Sequence, residues 1–200
     1  VLGGPGSGVY RSDDGGSTYN NMNANINITQ FYDIAVDPGD ANIVFGGAQD
    51  NSSSGRRTST VWNLTFASGD GFMNAIDESG LPYIVRSTTG GAPGSFTRMS
   101  NTGLGSGNFP WVTPLATAGS QLFVASDEVY RANTLGGSWT QVSGGLGSSA
   151  SVITTDMRGM LTPTYVGTSA GKIFFSADAG IASPVFSDVT GNFSGGRVSD

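Results

Sequence analysis

The chain has 200 residues, a formal net charge of −6 and neither His nor Cys. That removes Ser-His-Asp and Cys-His nucleophiles, disulfide frameworks and most zinc sites. The 8 Arg and 1 Lys are dispersed, against the basic footprint of a nucleic-acid binder, and no apolar run reaches the ~20 residues of a membrane-spanning helix.

In chain order, Gly8-Val9-Tyr10-Arg11 reads as a strand leading into the octapeptide Ser12-Asp13-Asp14-Gly15-Gly16-Ser17-Thr18-Tyr19. The octapeptide has the chemistry of a tight hairpin turn. Gly15 and Gly16 take positive φ without steric cost. The Asp14 carboxylate accepts nearby backbone N–H groups as in Asx turns, Ser12 and Thr18 bond across the turn, and Tyr19 packs beneath it as an apolar plug. Residues 1–27 are thus the end of one repeat.

Residues 28–66 form a repeat without such a turn. Gln30 to Val36 is expected to be an inner strand, Asp37-Pro38-Gly39-Asp40-Ala41-Asn42 a β-turn, and Asn42 to Gly47 the next strand. An insertion from Asn51 to Arg57 precedes an outer strand, Ser59 to Phe66. Residues 67–100 form a shortened repeat: the inner strand Gly71 to Asp77 runs almost directly into Tyr83-Ile84-Val85, so one strand is missing. Arg86-Ser87-Thr88-Thr89-Gly90-Gly91 then repeats the turn motif weakly, leading to Ser95-Phe96.

Residues 101–145 place inner strands at Pro110 to Leu115 and Gln121 to Ala125, and a third copy of the turn at Arg131 to Trp139, with Gly136, Gly137 and the aromatic kept and Thr134 in place of the Asp. Residues 146–190 repeat the pattern with Ser151 to Asp156, Pro163 to Gly167 and Ser176-Ala177-Asp178-Ala179-Gly180, linked to Phe186. Residues 191–200 begin another inner strand at Gly196 to Asp200.

The turn copies start at Ser12, Ser87, Ala132 and Ser176, spaced by 75, 45 and 44 residues. The last two spacings fit a four-stranded propeller blade of about 40–45 residues. No segment carries a helical period, and short strands with Gly-rich turns indicate an all-β fold. The expected fold is a β-propeller with four to five blades present, an arc of a larger propeller. Alternatives are a five-bladed ring closed by the two ends, and an open arc whose edges pair with other copies.

The pattern S-x-D-x-G-x-T-[aromatic] at Ser12 to Tyr19 resembles the Asp-box of bacterial-neuraminidase-repeat β-propellers. That class includes sialidases, sortilin-type receptors and xyloglucanase-type glycoside hydrolases. The stretch from Ile28 to Asp77 resembles a segment of secreted bacterial proteins with sortilin/xyloglucanase-like propellers. The resemblance implies a structural role for Ser12, Asp14, Gly16, Thr18, Tyr19, Ser87, Gly91, Phe96, Gly136, Trp139, Ser176, Asp178 and Gly180, and an extracellular or cell-surface location. It does not carry an activity. A sialidase needs an arginine cluster, a Tyr–Glu pair and an Arg-Ile-Pro-like segment, and only Glu78 and Glu128 are present. A xyloglucanase-type cleft needs two propellers.

The chemistry left is that of carboxylates, above all glycoside hydrolysis by an acid pair. Asp50 and Asp70 are the candidates, because Gly46 to Asn51 and Ser68 to Phe72 are loops expected to open on one face. Gln49, Asp50, Asn51, Arg56, Asp70 and Phe72 are the candidate ligand-binding residues, with Arg57 beside them. All are also ordinary turn formers or strand residues. Trp62, Trp111 and Trp139 read as blade core. Asn27, Asn51, Asn63 and Asn192 lie in glycosylation sequons, triplets that also arise by chance in an Asn/Ser/Thr-rich chain. No cofactor and no metal is expected; the carboxylates of Asp37 and Asp40 read as turn residues. The favoured function is a non-catalytic module binding a glycan or a protein at the channel face, or serving surface structure. The alternatives are a glycoside hydrolase fragment and a self-assembling surface or fibre subunit.

Overall fold

The computed structural model describes residues 2–4, 8–24, 29–66, 69–77, 82–86, 95–96, 100–133, 137–156 and 158–199. These residues are all-β: they hold 18 strands and no helix. The first sheet is β1 (Leu2–Gly4), β2 (Gly8–Arg11) and β3 (Asn20–Asn21). The second is β4 (Phe31–Val36), β5 (Val44–Ala48), β6 (Ser53–Arg56) and β7 (Asn63–Phe66). The third is β8 (Gly71–Ile76), β9 (Pro82–Arg86) and β10 (Ser95–Phe96). The fourth is β11 (Leu115–Ala118), β12 (Gln121–Ala125), β13 (Val129–Asn133) and β14 (Thr140–Gln141), and the fifth is β15 (Ala150–Thr155), β16 (Thr164–Thr168), β17 (Ile173–Ser176) and β18 (Ser187–Asp188).

Every sheet is an antiparallel meander in chain order. Turns therefore alternate between two ends. The upper end carries the β5–β6, β12–β13 and β16–β17 turns and the crossover into β8. The lower end carries the β4–β5, β11–β12 and β15–β16 turns.

The first strands of successive sheets stand side by side: β4 against β8, β8 against β11, β11 against β15. Polar links join them. The Asn74 N–H donates to Asp33 Oδ2 at 2.7 Å, Thr117 Oγ1 to the Ile76 carbonyl at 3.1 Å, and Thr155 Oγ1 to the Thr117 carbonyl at 2.9 Å. The outer parts of the sheets pack face to face. β12 reads Gln-Leu-Phe-Val-Ala because both its faces are buried. Leu122 and Val124 join Ala75, Leu115, Tyr130 and Trp139 on one side. Phe123 and Ala125 join Val129, Ile153 and Val166 on the other.

Several expectations are corrected. The expected insertion from Asn51 to Arg57 contains a regular strand, β6, whose Ser53 and Gly55 pair with Gly47 and Phe45. The small residues fit it for this place: a Cβ on Gly55 would lie 2.2 Å from the Phe45 ring. The outer strand starts at Asn63 rather than Ser59. The inner strand expected from Pro110 starts only at Leu115, because Pro110 and Pro114 have no N–H to give to a ladder. The segment from Gly196 forms no strand among the described residues. The third sheet has three strands among those described; β8 pairs directly with β9, and residues 78–81, where the sequence reading put the missing strand, lie outside the described residues.

Candidate functional site

At the upper end, the β5–β6 turn and the β7–β8 crossover meet. The Asp50 N–H donates to Asp70 Oδ1 at 2.6 Å. The Ser52 N–H donates to the Gly69 carbonyl at 2.9 Å, and Ser52 and Asp70 form an isolated parallel bridge. The turn is tight: Asp50 and Ser52 have φ of 57° and 62°, the left-handed region that costs a non-glycine residue energy unless its surroundings hold it. Gly47 permits the approach of β8, since a Cβ there would fall 1.9 Å from the Phe72 carbonyl oxygen. The two acids singled out in the sequence are thus brought together by local backbone bonding.

Aromatic side chains gather beside them. Tyr32 lies with its ring 4.9 Å from that of Phe72, and Phe72 lies 5.5 Å from Trp111, both edge-on. Phe72 is fully buried, whereas Tyr32 and Trp111 are 37% and 52% exposed. Burial pushes the Tyr32 phenol above its ordinary range, and the negative charges of Asp70 and then Asp50 push it further. The Trp111 indole bonds to the phenol and acts in the opposite sense. Two half-exposed aromatic faces therefore border two carboxylates, with Phe72 as their floor. Gln49 is anchored through its N–H to the Gln30 carbonyl at 3.1 Å, and the Asn51 side chain donates to the Gln49 carbonyl at 2.8 Å.

Phe72, expected to contact a ligand, has no exposed surface for one and instead supports the two residues that do. Arg56 is placed differently as well. It pairs with Val44 at the lower end of β6, the far end of that strand from Asp50. Arg57 follows it, with its guanidinium 5.2 Å from the Phe45 ring centroid. Tyr32 was not singled out in the sequence, and Trp111 was read as core. The signal available for Trp111 was its place between Pro110 and Pro114, in a loop rather than a strand. Trp62 is also exposed, tilted on Phe31 at 5.7 Å; Trp139 is buried as expected and donates its indole N–H to the Ser100 carbonyl at 3.0 Å.

Two of the turn motifs, the first and the last, show their bonding among the described residues. Asp14 is the hub of the first: its Oδ1 accepts Ser12 Oγ at 2.8 Å and the Thr18 N–H at 2.9 Å, and its Oδ2 accepts Thr18 Oγ1 at 2.6 Å. The Gly16 N–H donates to Ser12 Oγ at 2.8 Å. The Thr18 hydroxyl, the Thr18 N–H and Ser12 hold the Asp14 carboxyl far below the usual range. Tyr19, expected as a plug, is half exposed. In the last copy, Asp178 Oδ1 accepts the N–H groups of Thr162 and Gly180 at 3.1 and 3.0 Å, Ser176 is buried and Phe186 packs on the core. Ser87, Gly91 and Gly136 lie outside the described residues, and of Phe96 only the backbone is described.

Asp37 Oδ1 accepts the N–H groups of Gly39 and Asp40, and Asp40 Oδ1 accepts the N–H and side-chain amide of Asn42, the bonding of a turn. No group of three or more potential metal ligands occurs among the described residues. Among the sequons, Asn51, Asn63 and Asn192 are exposed, and Asn27 lies outside the described residues. Among the described residues, no helix is long and apolar enough to cross a membrane. No protein-family model matches the chain, and no curated protein matches it.

Proposed function

We propose that this chain is an arc of an Asp-box β-propeller and acts as a non-catalytic, extracellular or cell-surface module that binds a glycan at its upper face. The observation that carries the binding reading is the pair of half-exposed rings, Tyr32 and Trp111, beside Asp50 and Asp70. Aromatic faces stack on the C–H faces of a sugar ring, while a carboxylate accepts its hydroxyl protons in strong, charge-assisted bonds. Gln49 and Asn51 add amide groups on the same turn. The propeller reading is supported by the meander sheets, by the side-by-side first strands and by the Asp14 and Asp178 staples.

The test is a titration of soluble neutral and acidic polysaccharides by calorimetry, with Trp111→Ala and Tyr32→Ala as controls. Binding that weakens at least about tenfold in each variant, the scale of a lost aromatic anchor, supports the reading. Binding to none of the polysaccharides, or unchanged binding in both variants, removes it.

A hydrolase reading rests on the proximity of Asp50 and Asp70. The commitment of Asp70 Oδ1 to the Asp50 backbone favours a structural place for that carboxylate. Release of reducing sugar that disappears in both Asp50→Asn and Asp70→Asn would favour the enzyme instead.

A further inference from the structure

The upper face carries charge of one sign. Asp70 gives one carboxylate oxygen, Oδ1, to the Asp50 N–H. Its other oxygen and the whole Asp50 carboxylate take no further hydrogen bond or ion pair among the described residues. The charges that act on the Tyr32 phenol are those of Asp70 and Asp50, both negative. Arginines described nearby in sequence or space are engaged elsewhere. Arg56 and Arg57 stand at the lower end of β6, with Arg57 over the Phe45 ring. Arg131 donates to the carbonyls of Ala179 and Ile181.

The aromatic side chains favour a guest of the opposite sign. Tyr32 and Trp111 stand at 65° and 70° to the Phe72 ring and keep exposed surface above it. The face of an aromatic ring is the negative part of its quadrupole and attracts a cation. Two carboxylates held close together repel each other, and a cation between them removes that cost. An anionic group meets repulsion from the same two carboxylates. The oxygens left open on Asp50 and Asp70 also need donors. A primary ammonium brings three N–H groups to them, whereas a neutral hydroxyl brings one and no charge.

We propose that the glycan taken at this face carries protonated amino groups, as a de-N-acetylated hexosamine does. The ammonium is held by Asp50 and Asp70, and the C–H faces of the sugar rings lie on Tyr32 and Trp111. This inference rests on the glycan reading above and narrows it to a cationic class.

The test compares a short glucosamine oligosaccharide with its fully N-acetylated counterpart, which has the same sugar rings and no charged nitrogen. In calorimetric titrations of the wild-type chain the glucosamine form should bind at least about tenfold tighter, the scale of one hydrogen bond to a charged group. The preference should shrink as salt is raised. It should be lost in Asp50→Asn, which keeps the backbone N–H that bonds Asp70 and places a residue tolerant of the left-handed turn. Asp40→Asn removes the same charge from the β4–β5 turn at the lower end. It should leave the preference unchanged, which separates this site from general attraction to a chain of net charge −6.

Equal affinity for the two forms, or tighter binding of the N-acetylated one, overturns the inference and leaves the glycan reading standing. So does a preference that survives Asp50→Asn, or one that Asp40→Asn lowers as much. Binding of neither form also overturns it; if no neutral polysaccharide binds either, the glycan reading falls with it.

Discussion

The backbone N–H of Asp50 rests on the carboxylate of Asp70, 2.6 Å away and twenty residues further along the chain. This bond ties a hairpin turn of the second sheet to the crossover that begins the third, and it fixes the edge of the Tyr32–Trp111 face. Asp70→Ala should lower stability by about 1 kcal/mol, the net value of one such bond, and should also weaken any glycan bound there. Chemical denaturation of the two proteins checks the first effect.

The left-handed backbone of Asp50, φ 57°, sets opposite expectations for two substitutions. Asp50→Gly relieves the steric cost and should be neutral or stabilising by up to about 1 kcal/mol, whereas Asp50→Val, branched at Cβ, should destabilise by about 1–2 kcal/mol. Thermal melts that rank Val above Gly would contradict the turn conformation.

Phe72 and Trp111 touch, yet their substitutions should separate stability from binding. Phe72→Ala opens a cavity under the site and should cost about 3–5 kcal/mol. Trp111→Ala removes a ring that is already half in water, so its stability loss should be less than half as large, while ligand binding is lost. Melting temperatures measured alongside calorimetric titrations test the contrast.

Two similar turn acids should behave unequally. Asp178 staples the packed fifth sheet to Thr162, and Asp178→Ala should cost about 1–2 kcal/mol through two unpaired N–H groups. Asp14 bonds more extensively, but in a sheet with no buried residue among those described. Asp14→Ala should leave the main unfolding transition in place and speed amide exchange only around Gly16 and Thr18.

The pH dependence has a definite sign at both extremes. The bonds from Thr190 and Lys172 hold the Asp188 carboxyl at about 2, below the ~4 of an unfolded chain. Its contribution is complete above pH ~4 and fades as pH falls toward 2; Asp188→Asn should flatten the stability profile there. Burial, with help from Glu128, pushes the Tyr130 phenol up to about 12. The unfolded chain ionises it near 10, so its contribution is complete below pH ~10 and is lost as pH rises toward 12. Absorbance titration of the six tyrosines should show a late-ionising phenol that Tyr130→Phe removes.

The sequence determined the all-β class and most strand positions, because alternation and Gly-rich turns are local properties. β2 and β12 fall where Gly8 to Arg11 and Gln121 to Ala125 place them. The adjacency of Asp50 and Asp70 was legible as two loops at one end of a meander. What only the tertiary structure decided is which side chains meet water. Phe72, Tyr32 and Trp111 are alike as apolar residues in the sequence. Their fates depend on β8 closing over Gly47, which buries the first and leaves the other two at the rim. Arg56 failed as a site residue for a similar reason: the segment expected to be an insertion is a strand, and four residues of extended chain carry the arginine to the opposite end. Exposure and separation of this kind are set by packing between sheets distant in sequence, and no local pattern encodes them.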